Sequence, residues 1–408
     1  MSDTDVVVAG GGPAGVVAGL LLARAGIRVT VLEKHADFLR DFRGDTVHPP
    51  TLDLIDALGL GERFRRIPQS RIDQVRVPFR GGSVRTADLS ALPGPNNFIA
   101  MVPQWDLLNL LAGAAAEEPT FALRMDTEAT GLLRTGDRVT GVAYRTAGGE
   151  TGELTATLTL ACDGRSSVLR ADAALPTRGY PVPMDVWWFR VPRHDSDPGG
   201  VVPLISGARQ VILLDRGDYW QVACLIAKGG DARARAGDVG AIMRDVAASA
   251  PWLADRVDAL ASWDEVKVLD VKLDRLTRWH RDGFLCLGDA AHAMSPVGGV
   301  GINLAVQDAI AAARLLAGPL ARGELTERDL AGVQRRRLLP TLAVQGLQRV
   351  LHRRVVAPTV AGELDVVGGT EPPAVLRLFS RFPALSRVPA QVIGRGLRTE
   401  PVPAFARR

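Results

Sequence analysis

An apolar run that stops at a carboxylate opens the chemistry of this 408-residue sequence: Phe284-Leu285-Cys286-Leu287-Gly288-Asp289-Ala290-Ala291-His292. A turn-rich stretch, Ser295-Pro296-Val297-Gly298-Gly299-Val300-Gly301-Ile302-Asn303, follows it. Ile302, Ala305, Val306, Ala309 and Ile310 then recur at helical spacing. A strand ending in Gly-Asp, then a glycine loop feeding a helix start, aims free backbone N–H groups and a positive dipole end at one spot. Such a device suits a group that carries hydroxyls and a developing negative charge.

A second constellation lies at the start of the chain. The apolar strand Val6-Val7-Val8-Ala9 runs into Gly10-Gly11-Gly12-Pro13-Ala14-Gly15, then an apolar helix to Gly26, then Arg28-Val29-Thr30-Val31-Leu32 ending at Glu33 and Lys34. This is the βαβ dinucleotide fingerprint in its required context. Gly10 permits the tight turn, Gly12 lets backbone approach a pyrophosphate, and Gly15 lets the helix pack on the strand. Glu33 stands where an acid accepts hydrogen bonds from an adenosine ribose. The motif alone does not separate FAD from NAD. A third strand, Leu160-Ala161-Cys162, also stops at Asp-Gly, in Asp163-Gly164-Arg165-Ser166-Ser167-Val168-Leu169-Arg170.

These elements must be positioned by the rest of the chain. Residues 1–67, 103–175 and 277–335 read as a discontinuous dinucleotide-binding domain. Residues 68–102 and 176–276, β-like and rich in turns and tryptophan, read as an inserted domain. Residues 336–408 read as a helical C-terminal region; from Asp308 onward the chain looks helical to the end, with breaks expected at Gly318-Pro319 and Pro340. The fold class is therefore α/β, Rossmann-like, with a β-rich insertion and a helical tail. Trp187, Phe189 and Tyr219 of the insertion offer aromatic walls for a substrate pocket. In the polar loop before the helix expected from Thr51 to Leu58, Arg43 could meet a phosphate or lie along a ring. Asp45 and His48 are candidate proton donors or acceptors, although His48, next to Pro49 and Pro50, reads first as a loop-packing residue.

Composition narrows the classes. Hydrophobic content of 47% and charged content of 23% describe a globular protein with a sizeable core. The net charge is only +4, yet from Ala331 onward thirteen arginines face four acids (Glu363, Asp365, Glu371 and Glu400). Without interleaved aromatics that excess reads as a solvated helical surface and not as a nucleic-acid site. Cys162, Cys224 and Cys286 form no CxxC pair and read as buried packing residues in a reducing, cytoplasmic setting. The acidic N-terminus enters a strand directly and is no signal peptide, and no apolar stretch free of Gly, Pro or charge is long enough to suggest a membrane span. No metal-ligand set is assigned.

Together, GGGPAG with Glu33, DGRSSVLR and GDAAH with PVGGVGIN resemble the FAD-dependent aromatic monooxygenases of the para-hydroxybenzoate hydroxylase type, in the branch that includes ubiquinone-biosynthesis and polyketide hydroxylases. The resemblance runs from residue 1 to about 350. It implies bound FAD, with Gly10, Gly12, Pro13, Ala14 and Gly15 at the pyrophosphate and Glu33 and Lys34 at the adenosine side. Arg43 and Gln104 would contact the diphosphate and ribityl segments. Asp163 would serve both FAD and the nicotinamide donor, and Asp289 would hold the ribityl side. Pro296, Gly298, Gly299, Gly301, Ile302 and Asn303 would border the isoalloxazine, with Pro296 also beside the reacting centre. With no second GxGxxG, NADH or NADPH would bind transiently. The implied activity is hydroxylation of a phenolic or polycyclic aromatic small molecule by dioxygen through a flavin hydroperoxide, in a monomer or homodimer. The alternatives are a flavin-dependent reductase or desaturase of an isoprenoid or polyketide, and a flavin- or ligand-binding protein without turnover. No WxWxIP segment supports a halogenase.

Overall fold

The computed structural model describes residues 2–39, 46–79, 82–206, 209–363 and 374–408. The expected site residues Arg43 and Asp45 lie outside the described residues.

Strand β1 (Thr4–Ala9) leads through the glycine turn to helix α1 (Pro13–Arg24) and strand β2 (Val29–Leu32). Val6, Val7 and Val8 are fully buried, as expected for a central parallel strand covered on both faces. Helix α2 (Pro49–Ala57) begins two residues earlier than the sequence suggests, because Pro49 and Pro50 serve as its first turn. Helix α3 (Gln104–Ala116) then leads to β3 (Phe121–Arg124), β4 (Thr127–Thr135), β5 (Arg138–Thr146) and β6 (Thr151–Ala161). The long β6 does two jobs. Its first half pairs antiparallel with β5, and its second half pairs parallel with β1.

The inserted β-rich part is built on β7 (Met184–Pro192), β8 (Val201–Ser206), β9 (Arg209–Asp215), β10 (Tyr219–Ala227), helix α4 (Gly240–Ser249) and β11 (Lys267–Leu269). These five strands form one antiparallel sheet in the order β8-β9-β10-β7-β11. The chain returns to the first sheet with β12 (His280–Arg281) and β13 (Phe284–Cys286). The parallel core then reads β13-β6-β1-β2-β3, with β12 antiparallel at its edge.

Helices α5 (Gly301–Ala321) and α6 (Glu327–Leu351) close the fold, and α5 packs along α1. Helix α5 is long and apolar enough to cross a membrane, but 72% of its apolar window is buried inside the protein, which makes it a core helix. Both expected helix breaks are corrected. Pro319 sits inside α5, which ends at Ala321 ahead of Gly323 (φ +67°). Pro340 lies within α6, whose Val333, Arg337, Pro340 and Val344 are all buried. Packing of that face carries the helix past the hydrogen bond a proline cannot make. The boundary expected at residue 336 therefore falls inside a continuous helix.

Candidate cofactor and substrate site

The register brings the separated motifs to one edge. Ala9 pairs with Leu32 on one side and Ala161 on the other, and Ala161 pairs with Cys286. The residues that follow these partners are Gly10, Glu33, Cys162-Asp163 and Leu287-Gly288-Asp289. All four strands thus release their chemistry at the carboxyl end of the sheet, where open α/β folds bind ligands. Gly10 has φ +103°, and a Cβ there would stand 2.4 Å from the Cys162 carbonyl oxygen. A Cβ on Gly15 would stand 1.9 Å from the Gly10 carbonyl oxygen, whereas one on Gly12 would meet nothing within 4 Å. The space above Gly12, at the start of α1, is open to a ligand. Neither Pro13 nor Ala14 interrupts it, and no side chain caps that helix end.

Glu33 is buried, and its Oε2 accepts the Gly11 N–H at 2.7 Å. Its Oε1 accepts the His35 N–H at 3.1 Å and lies 2.6 Å from His35 Nδ1. Lys34 is exposed beside it. A Cβ on Gly288 would lie 3.2 Å from Ala14 Cβ and 3.1 Å from Ala305 Cβ, so the Gly-Asp turn rests on the N-terminal ends of both α1 and α5. Asp289 Oδ2 pairs with Arg165 Nη2 at 3.1 Å, which ties the two Asp-Gly segments together. Asp163 is half-buried, desolvation pushes its carboxyl up, and its Oδ1 has no partner among the described residues. Gln104 stands in the first turn of α3.

The glycine loop before α5 is pinned from two sides. The Gly299 carbonyl accepts the Thr46 hydroxyl at 2.7 Å and lies 3.0 Å from His48 Nε2. His48 Nδ1 lies 2.8 Å from the Ile393 carbonyl. His48 is fully buried, and burial pushes its imidazole below the usual range. With both nitrogens against main-chain carbonyls, His48 joins the loop to the C-terminal segment. Asn303 accepts the Thr51 hydroxyl at 3.1 Å. Gly301 and Ile302 open α5 without a side-chain cap, and a Cβ on Gly301 would meet nothing within 4 Å. Gly298 lies between this helix start and the loop's other anchor, and Pro296 lies within that anchor.

That other anchor was not foreseen from the sequence. Along α6, Gln345 and Gln348 hold the main chain of residues 293–297, and His352, just past the helix, meets the Ser295 hydroxyl. Gln345 Nε2 donates to the Asp274 carbonyl at 2.8 Å and the Ala293 carbonyl at 3.4 Å. Gln348 Nε2 donates to the Ser295 and Val297 carbonyls at 2.8 and 2.9 Å, and its Oε1 accepts the Ser295 N–H at 3.2 Å. His352 Nε2 lies 2.8 Å from Ser295 Oγ. Beneath the Gly-Asp turn, Asp308 Oδ2 accepts the Gly288 N–H at 3.2 Å and lies 2.6 Å from His292 Nε2. Asp308 Oδ1 accepts Arg337 Nε at 2.9 Å, and Arg337 Nη1 continues to Glu400 Oε1 at 3.2 Å. Gln, His and Arg at spacings of three and four on a polar helix look like a solvated face; only their burial distinguishes them.

The expected aromatic walls separate by strand parity. Trp187 and Phe189 point to the face of the five-stranded sheet that packs under α4, where both are buried with Met243 and Val246. Trp187 Nε1 also donates to Asp231 Oδ1 at 2.8 Å. They are core, because alternate residues of a strand take opposite faces. Trp188, which the sequence did not single out, takes the other face, across from Ala223, with Ile212 on the strand beyond. Tyr219 shares that face, with the Arg190 guanidinium 4.6 Å above its ring. Val182 packs both with this face and with Met294 and Val300 of the glycine loop. Among the described residues no cluster of His, Cys, Asp and Glu is arranged to hold a metal.

Two uncapped helix starts, an open cradle above Gly12, a buried acid at the end of β2 and a glycine loop before α5 form an extended dinucleotide site. This geometry fits FAD. A profile of the FAD binding domain family matches residues 3–343, and the chain belongs to that family. The 6-methylpretetramide 4-monooxygenase of Streptomyces rimosus is 35% identical over 391 residues, covering 94% of this chain and 91% of the relative. Aklavinone 12-hydroxylase DnrF of Streptomyces peucetius is 25% identical and covers 90% of this chain and 78% of its own. The solved structure of Pseudomonas aeruginosa PqsL in complex with 2-aminobenzoylacetate superimposes with a TM-score of 0.74 at 21% identity, covering 88% of this chain and 99% of that one. The protein is an FAD-dependent oxidoreductase of the monooxygenase class, of the para-hydroxybenzoate hydroxylase type.

Proposed function

We propose that this protein hydroxylates a polycyclic, phenol-bearing aromatic compound in the cytoplasm, with NADH or NADPH as electron donor and dioxygen as oxygen source. The observation that supports this reading is the single row of strand ends that aligns Gly10, Glu33, Asp163 and Asp289 along one edge. The 35% identity to a monooxygenase of a polycyclic substrate adds the substrate class.

In this reading Gly10, Gly12, Pro13, Ala14 and Gly15 take the pyrophosphate, and Glu33 takes the adenosine ribose. Asp289, held by Arg165, takes ribityl hydroxyls. Bound FAD, once reduced by the nicotinamide donor, supplies the oxygen-activating chemistry. The chain's own part is placement, charge and dryness. Backbone N–H groups at the start of α5, with its dipole, lie where negative charge develops at the ring edge, worth roughly 0.3–2 kcal/mol from the dipole alone. Thr46, His48, Gln348 and His352 keep that loop from shifting, and Trp188 with Ala223 forms an apolar wall on the substrate side. His48 acts here as a positioning residue, since its two nitrogens already face carbonyls.

The test mixes flavin-loaded protein with NADH or NADPH without oxygen, follows bleaching of the flavin, then admits labelled dioxygen with a hydroxylated polycyclic aromatic. Bleaching with one donor and label in the product support the reading. Absence of bleaching with both donors, or a product without label, overturns it.

A further inference from the structure

Three guanidinium groups converge on one tyrosine ring. The central carbons of Arg349, Arg275 and Arg178 lie 4.5, 5.3 and 5.6 Å from the Tyr180 ring centroid. Arg178 and Tyr180 belong to the strand Thr177–Tyr180, Arg275 to the strand Leu273–Leu276, and Arg349 to α6. The two strands pair antiparallel, with Arg178 directly across from Arg275 and Tyr180 across from Leu273. Alternation puts these four residues on one face of the ribbon. That face adjoins the cofactor loop, since Leu273 is buried in one cluster with Met294, Val300 and Val344, and Tyr180 packs against it.

Among the described residues no carboxylate pairs with any of the three cations. Asp274, the acid next to Arg275, is taken by Arg170 at 3.2 Å. Arg275 Nη1 donates instead to the Tyr180 hydroxyl and, at 3.3 Å, to Gln345 Oε1. Gln345 in turn grips the Asp274 and Ala293 carbonyls, so Arg275 is held in place while Arg178 and Arg349 stand exposed. Like charges directly opposite each other on paired strands are destabilising. Salt does little to relieve them at these separations, because the screening length is about 10 Å at 0.1 M. A cluster that keeps this repulsion, with no acid of its own, is complementary to an anion with several oxygens. Guanidinium forks match phosphate in both charge and geometry.

We infer that Arg178, Arg275 and Arg349 bind a phosphate monoester, the 2′-phosphate of NADPH. This inference rests on the monooxygenase reading and sets its electron donor. The pyrophosphate of FAD is assigned to the cradle above Gly12, so the nicotinamide donor is the remaining reactant that carries phosphate. NADH and NADPH share a pyrophosphate with one charge on each phosphorus. NADPH alone adds a monoester, with about −1.5 to −2 charges on a single phosphorus at pH 7. Three cations around one point suit that concentrated charge, and they give NADH nothing equivalent to bind.

The experiment mixes flavin-loaded protein with NADH or NADPH without oxygen and takes a Kd for each donor from the concentration dependence of flavin bleaching. Bound-flavin absorbance reports that each variant is folded and loaded. Wild-type protein should bind NADPH at least about tenfold more tightly than NADH. Arg178→Gln and Arg349→Gln should each weaken NADPH about tenfold and bring the two Kd values together, and Arg349→Lys should restore part of the preference. A merely structural role would weaken both donors alike and leave their ratio unchanged. Adenosine 2′-phosphate and inorganic phosphate, titrated by calorimetry, separate the sources of the anion. Adenosine 2′-phosphate should bind wild type and lose about tenfold in Arg349→Gln. Equal Kd values for the two donors in wild type, or an unchanged preference in both glutamine variants, overturn the inference. Inorganic phosphate that binds without any donor preference marks a free-phosphate site and overturns it too. If neither donor bleaches the flavin, the monooxygenase reading fails, and the adenosine 2′-phosphate titration still decides whether the cluster takes a phosphate monoester.

Discussion

Arg337 Nε sits 2.9 Å from Asp308 Oδ1, with both side chains shielded from water, and this pair stands directly beneath the Gly288-Asp289 turn. Burial alone would push the Asp308 carboxyl up, but His292 and Arg337 outweigh it and hold the group below the usual carboxylate range. Such a pair need not add net stability, yet breaking it leaves an uncompensated buried charge. Asp308→Ala should cost about 3–5 kcal/mol of stability. It should also weaken FAD, because the Gly288 N–H loses its acceptor. Urea midpoints and bound-flavin absorbance measure the two effects; a variant with wild-type values of both would show that the pair does not support the turn.

Acid should weaken the protein in two stages. Burial depresses the imidazoles of His48 and His352 in the folded state. The unfolded chain therefore binds protons first, and stability drops as pH falls from about 6.5 through the folded values. Asp308, likewise depressed, contributes stability that is present above about 3.9 and lost as pH falls through its folded value. Melting temperatures should decline between pH 7.5 and 5.5, and His48→Gln should flatten that slope. A slope unchanged in the variant would remove His48 from the account.

Two glycines of the same turn should separate on substitution. Gly15→Ala places a Cβ 1.9 Å from the Gly10 carbonyl, so the apoprotein itself should be destabilised or fail to fold. Gly12→Ala meets nothing within 4 Å, so the apoprotein should melt like wild type while FAD binds at least about tenfold more weakly. Thermal melts of apoprotein beside flavin titrations test the contrast. Normal FAD affinity in Gly12→Ala would mean that the pyrophosphate lies elsewhere.

What the sequence disclosed and what it hid follow from the range of each signal. Gly10, Glu33, Asp163 and Asp289 announce themselves because a short apolar strand and the turn that ends it are local, and the βαβ rules then bring such ends together. Trp187 was legible as an aromatic on a strand, but not which face it takes. That depends on α4, which is remote in sequence, and a shift of one residue exchanges core for pocket. Gln345, Gln348 and His352 were invisible because their partners are main-chain groups of residues 274, 293, 295 and 297 and the Ser295 hydroxyl, whose exposure no helical pattern encodes. Pro340 misled for the opposite reason, since a strong local signal was overridden by the packing of Arg337 and Val344.

Glu400 receives Arg314, Arg336 and Arg337 with its carboxylate shut away from solvent, and it lies 63 residues beyond Arg337 in the chain. A chain that stops at α6 therefore leaves Arg314 and Arg336 without this carboxylate and Arg337 with Asp308 as its one acid. The second partner of Arg337 beneath the Gly-Asp turn thus arrives only when residue 400 has left the ribosome. Copies that stop short of it should hold the pigment more weakly, which the bound-flavin absorbance of a truncated chain would show.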